Sequence, residues 1–341
     1  MNDLAIIGTG SLTPSGGGWP GLEPDAPPVA TGLPSLRRPD TTFPVQQVGD
    51  GFLQDLTHEP RLRRASRITL MMAAAARQAL GDRTPQRLGL VGAFFTGACH
   101  FSRRFYAPVL ERGPSFASPA LFPETLYNSS LGHIAHLLGV GGSCYAMVGD
   151  DSAWISALEV ASLWLDLKTV DAVLVVGGEE LDVSALEAYR AAGWLKNGFL
   201  PAEGAAAVLL SRAGADSVLT ISGLTPGFAY RSRASVLRAV GQCFAAMSGA
   251  PIARTADRTW LRAPVGRMAI GHSMIPLPPA GLGHAFTASA GWHTLQGARW
   301  LLGQSEEDSL WVPVWGLHHQ VAALRLRKTG RPQLAVAPEE R

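Results

Sequence analysis

Three polar residues, Asp150, Asp151 and Ser152, stand at the head of an apolar stretch, VGDDSAWISALEVASLWL (148–165). A glycine turn that opens a buried helix offers free backbone amides and the positive end of the helix dipole. A nucleophile or an acid gains from both. The candidates here are the Asp151 carboxylate and the Ser152 hydroxyl. The plainer reading makes the two aspartates helix caps, because an anion there satisfies amides the helix leaves open. A serine nucleophile needs a base and an oxyanion site. The one placed candidate base is His284, in GLGHAFTASAG (281–291). His318 and His319 could join His284 around a metal. That needs three or four converging ligands, and adjacent residues on a strand point opposite ways. Cys144, seven residues before Asp151, falls on an expected strand and reads as a buried small residue. Cys99, Cys144 and Cys243 lie far apart with no CxxC, which suits neither a disulfide framework nor a zinc site.

The elements around these residues alternate. Leu4–Ile7 and Leu88–Phe95 read as buried strands. Ser66–Leu80 is rich in helix formers and stops at Gly81. Residues 13–60 and the segment His100–Phe122, with its prolines and Arg103–Tyr106 patch, read as irregular. Ser129–Leu138 is a small-residue helix. After the aspartate turn and its helix comes DAVLVV (171–176), the continuous apolar run of a parallel strand covered on both faces. Leu181–Ala192 reads as a helix and Gly204–Leu210 as a central strand. Further on, Ser217–Gly223 and Ala269–Gly271 read as strands, and Arg233–Ser248 and Gly291–Leu302 as helices. Leu310–Trp315 and Val321–Leu326 form a closing strand pair around GLHHQ. This is α/β with helices on both faces of the sheet.

The 341 residues suit two domains, or one body made of two halves. Hydrophobic residues make up 47% and charged residues 16%, against roughly 25% charged in ordinary soluble proteins. So apolar a chain buries a large core or a large surface against a partner. Net charge is +2 and no basic run is interleaved with aromatics, so nothing points to nucleic acid. The start, MNDLAIIGTG, lacks the build of a signal peptide, and no apolar run reaches the roughly 20 residues of a bilayer span. The expected location is the cytoplasm.

Seven segments, in order, resemble the β-ketoacyl synthases of the thiolase fold. They are IIGTGSLTP, NSSLGHIAHLLGVGG, SALEVA, VDAVLVVGGEE, PAEGAAAVLL, GLGHAFTASAG and VWGLHHQVAALRLRK. The resemblance implies two related α/β halves in a five-layered αβαβα body, with halves at 1–215 and a shortened 216–341. Active members of that family condense acyl and malonyl thioesters carried on the phosphopantetheine of an acyl carrier protein, with no further cofactor. A cysteine at a helix N-terminus takes the acyl chain, two histidines serve decarboxylation and the thioester oxygen, and a lysine supports the second histidine. Counted in register from LGVGG, the cysteine position is Asp151. No histidine lies between His136 and His272, so the first histidine has no counterpart, and PIARTADRTWLRAP (251–264) holds no H-G-T. The second histidine is matched by His284, and the lysine position is Pro279. The family's glycine-rich gating loop corresponds to GLHHQ.

Aspartate cannot form an acyl thioester, and losing several members of a cooperating set leaves little rate. The expectation is therefore a chain-length-factor-like subunit. It would pair with an active ketosynthase in type II polyketide or fatty-acid-like assembly, aryl polyenes being one product class. Two other readings stand beside it. One is an enzyme with a rebuilt site, a decarboxylase, hydrolase or acyltransferase using His284 with Asp151 or Ser152. The other is a homodimeric protein that binds an acyl chain or a carrier.

Overall fold

The structure is a computed structural model that describes residues 2–38, 40–196, 199–255, 261–277, 281–318 and 320–329. Pro279, His319 and part of the PIARTADRTWLRAP stretch lie outside them.

The first half builds β1 (Leu4–Thr13), β2 (Leu88–Phe94), β3 (Cys144–Val148), β4 (Ala172–Glu179) and β5 (Gly204–Arg212). The second builds β6 (Leu219–Leu224), β7 (Ile252–Arg254), β8 (Met274–Pro276), β9 (Ser309–Trp315) and β10 (Gln320–Lys328). The helices that matter here are α1 (Arg67–Leu80), α2 (Cys99–Arg112), α3 (Tyr127–Leu138), α4 (Ala153–Asp166), α5 (Val183–Ala191), α6 (Arg233–Ala246), α7 (Arg262–Met268) and α8 (Phe286–Leu302).

The strands run in the order β8-β7-β9-β10-β6-β1-β5-β4-β2-β3. β2 is parallel to both β3 and β4, and β7 is parallel to both β8 and β9. The halves join where β1 meets β6 at Leu4–Ile221 and Ala5–Thr220. The sheet folds back on itself there. α4 and α8 are clasped between its two halves, with Trp154, Leu158, Trp292 and Leu295 packed among Val173, Val175 and Val208 on one side and Val312, Leu324 and Leu326 on the other. α1 and α3 cover the outer face of the first half. α6 covers the second, with Val236, Val240 and Phe244 against Trp311 and Val321. This is the five-layered αβαβα arrangement.

Local chemistry explains the central layer. β4 is buried along its whole length, as its unbroken apolar run requires. The α8 backbone lies so close to β5 that a Cβ on Gly291 would be driven into the Ala206 Cβ. The buried indoles find acceptors: Trp154 Nε1 donates to Thr294 Oγ1 at 3.1 Å and Trp292 Nε1 to the Ala205 carbonyl at 3.0 Å. α1 begins at the Ser66 cap, whose side chain accepts from the Thr69 amide, and ends at Gly81 with φ 54°.

Several expectations need correction. His100–Phe122 is largely the helix α2, followed by short 3₁₀ turns. Pro108 removes one amide from α2 without ending it, because Phe101 and Phe105 keep an inward face at helical spacing. Ala269–Gly271 lies in a turn, and the strands flanking it are β7 and β8. Residues 13–60 contain a two-stranded hairpin, Thr31–Pro34 with Thr42–Val45. Cys144 is exposed, because β3 is the sheet's edge. No helix among the described residues is long and apolar enough to cross a membrane.

Candidate functional site at the aspartate turn

The chain leaves β3 through Gly149, whose amide donates to the Phe94 carbonyl at 2.9 Å, and enters α4 at Ala153. Asp150, Asp151 and Ser152 between them are all buried. Neither aspartate caps the first amides of α4. Asp150 Oδ1 instead accepts from the Ser152 amide at 3.1 Å and the Ser152 hydroxyl at 2.5 Å, a closed side-chain turn. Its Oδ2 accepts from the His318 amide at 3.0 Å. Asp151 turns across the molecule. Its Oδ1 lies 3.0 Å from His284 Nε2, and its Oδ2 accepts from the Leu317 amide at 3.4 Å.

His284 is fixed by backbone as well. Its amide donates to the Leu200 carbonyl at 2.8 Å, and its carbonyl accepts from the Ala202 amide at 2.9 Å. Phe199 and Phe286 flank its ring at centroid distances of 5.2 and 5.0 Å. Phe286 opens α8 with φ 42°, in the left-handed region a bulky residue seldom adopts. This places its ring between His284 and Phe95, whose ring stacks on it at 4.3 Å. Tyr189 and Trp194 continue the aromatic layer. The space beside the histidine is thus occupied by the chain's own rings.

The structure brings Asp151 and His284 together and keeps Ser152 apart, its hydroxyl committed to Asp150. The His318 ring packs near Trp194 at 5.5 Å, and its main chain faces Asp150. Among the described residues no group of three or more His, Cys, Asp or Glu is arranged to hold a metal. None of the three cysteines lies in the turn. Burial, aided by Glu179 and Glu180, pushes the Cys99 thiol up to about 12, and burial alone does the same to Cys243, so neither is a ready thiolate.

Sequence reasoning missed two features. His293, on α8, is pushed down to about 4 by burial and then by the nearby charge of His284, with Asp151 acting the other way. It is a neutral imidazole beside the Asp151–His284 pair. Its place on the helix that His284 leads into was the available signal. The second feature is the GGEE turn, read only as the end of a strand. Glu179 accepts from the Phe95 and Thr96 amides and the Thr96 hydroxyl, yet burial raises it to about 8. Glu180 accepts from the amides of Ile68, in the first turn of α1, and His100, in the first turn of α2. Burial raises it to about 7. Beside them, Asp182 pairs with Arg103 at 3.0 Å, and Glu203 pairs with Arg67 at 2.7 Å.

Residues 54–215, which carry the aspartate turn and the strands around it, match the family model for the N-terminal domain of β-ketoacyl synthases. Over that stretch the chain is similar to the β-ketoacyl synthases. A Streptomyces halstedii protein named as a polyketide β-ketoacyl synthase is 27% identical, over 72% of this chain and 70% of that one. Among solved structures, the ishigamide ketosynthase/chain length factor superposes with a TM-score of 0.75 at 17% identity, over 96% of this chain and 100% of that one. A β-ketoacyl synthase from Burkholderia phymatum gives 0.76 at 14%, with the same coverage. A ketosynthase in complex with its chain length factor, from Xenorhabdus doucetiae, gives 0.70 at 13%, over 96% of this chain and 98% of that one. At these identities the structural likeness establishes the thiolase-type ketosynthase fold.

Proposed function

We propose that this chain is a non-condensing ketosynthase-like subunit, a chain-length-factor-like partner of an active β-ketoacyl synthase in type II polyketide assembly. The observation that carries the reading is Asp151. It occupies the turn where active family members carry their cysteine, and both of its oxygens are engaged, one with His284 and one with the hairpin amide of Leu317. A carboxylate held this way forms no thioester. Phe199 and Phe286 crowd the histidine that an acyl group would have to approach. Its substrate would reside on the partner, as a phosphopantetheine thioester of an acyl carrier protein.

The surface supports an obligate partner. β3 is an edge strand with exposed Cys144, Tyr145 and Val148. Tyr106 and Leu110 on α2 add exposed apolar side chains. An exposed edge strand carrying apolar side chains, the last of the sheet among the described residues, invites pairing with another chain.

The test is co-expression with an active ketosynthase encoded beside it, followed by co-purification and mass spectrometry of both chains after incubation with an acyl carrier thioester. A stable complex in which only the partner gains the acyl mass is expected. Acyl mass on this chain, or turnover by this chain alone, overturns the reading. The latter would favour the second reading, in which His284 held by Asp151 serves as a general base in a rebuilt site. The 3.0 Å pair is its support. A stable homodimer that binds a carrier without the ketosynthase would favour the third.

A further inference from the structure

We infer that Asp150 and Asp151 form a latch that holds the β9–β10 hairpin loop closed over His284. The loop begins at Gly316, and its next two amides point at the two carboxylates, His318 to Asp150 at 3.0 Å and Leu317 to Asp151 at 3.4 Å. The bond to Asp150 is the stronger by geometry. Both acceptors are buried, which keeps water from competing for the amides. The rest of the loop is built for this position. The Tyr230 hydroxyl donates to the Gly316 carbonyl. Leu317 is buried in one apolar cluster with Leu186 and with Phe199 and Phe286, the two rings that flank the histidine. Gly316 passes so close to the turn that a Cβ there would meet Asp150 Oδ2 at 2.5 Å and run into the Gln320 carbonyl. One carboxylate therefore ties the loop down. The other ties both the loop and His284, whose side chain is only 16% exposed. The position a nucleophile would occupy has become the fastening point of the cover, a role that needs no chemistry.

The latch rests on these contacts and stands whether or not the chain pairs with a ketosynthase. It is tested on the full chain by hydrogen exchange at Leu317 and His318, and by carbethoxylation of His284 with diethyl pyrocarbonate, followed by mass spectrometry. Asp150→Ala leaves the Asp151–His284 pair in place, so any gain in His284 reactivity reports the loop. Both rates should rise by about tenfold or more, since a buried hydrogen bond is lost, while amides in the middle of β9 stay unchanged. Gly316→Ala, which keeps both carboxylates but forces the backbone away, should raise both rates as well. Asp150→Asn, which keeps an acceptor oxygen, should fall between. If Asp150→Ala does not fold, the other two variants decide. Two outcomes overturn the latch: wild-type amides at 317 and 318 that exchange as fast as free peptide, or folded variants whose loop exchange and His284 reactivity match the wild type. Neither bears on whether the chain pairs with a ketosynthase, which co-purification reads separately.

Discussion

At the scale of single residues, Asp151 is a buried acid with one imidazole partner and one amide donor. Replacing it with alanine would leave the His284 ring and the Leu317 amide facing a void. A buried donor without its acceptor costs about 1–3 kcal/mol. Asp151→Ala should therefore lower the thermal midpoint measurably. Ser152→Ala, which removes a hydroxyl bound, among the described residues, to Asp150 two positions back, should change it far less. Equal losses in thermal melts would mean that the Asp151–His284 contact contributes nothing. The sequence showed that this turn starts a helix and that its residues are unusual. It could not show that Asp151 reaches a histidine 133 positions away, because only the folded sheet brings α4 and the Pro201–Ala202 backbone that holds His284 to the same place. The simple cap expectation failed because Asp150 closes a turn on Ser152 and reaches the His318 amide, while Asp151 reaches His284 and Leu317.

At the scale of elements, the first turns of α1 and α2 meet at Glu180, and the loop between β2 and α2 closes on Glu179. Both carboxyls have folded-state values above the ordinary 4.5, about 7 and about 8. The native state thus binds more protons than the unfolded chain between about pH 4.5 and 8, and stability falls as pH rises through that window. His293 works from the other side. Its folded value of about 4 lies below the ordinary 6.5, so stability falls as pH drops from 6.5 toward 4. The two glutamates outweigh the one histidine, so with these three groups the melting temperature should be highest near pH 4–5 and fall from there toward pH 8. Glu179→Gln should flatten that alkaline limb across the whole window from about pH 4.5 to 8. An alkaline limb that persists unchanged in the variant would show that Glu179 does not drive it. The long buried elements were legible from their apolar runs: α1, β4, β5 and the β9–β10 pair. α2 was not, because a proline and several prolines after it mimic a loop. Nor were β7 and β8, three residues each and too short to leave a periodic trace.

At the scale of the molecule, composition announced a surplus of apolar residues, and the structure says where part of it goes. The buried share lies in α4 and α8 between the sheet halves. The five-layered body came from the family resemblance rather than from periodicity, which identifies strands but not which of them join. Part of the exposed share lies on the β3 edge, at Tyr145 and Val148. Cys144 was expected inside on the grounds that small thiols are commonly buried. It sits outside because β3 is the last strand of its row among the described residues. That exposure makes the cysteine a reporter. Cys99 and Cys243, both pushed up to about 12, should resist iodoacetamide at pH 8 in the folded chain, while Cys144 should take the label. If the β3 edge is the surface that meets a ketosynthase, complex formation must bury Cys144 and slow its labelling, and Tyr145→Lys must weaken co-purification without unfolding the chain. Labelling of Cys144 at one rate in the free chain and in a stable complex would move the interface elsewhere on the molecule. The apolar edge would then have to be covered by something other than the ketosynthase.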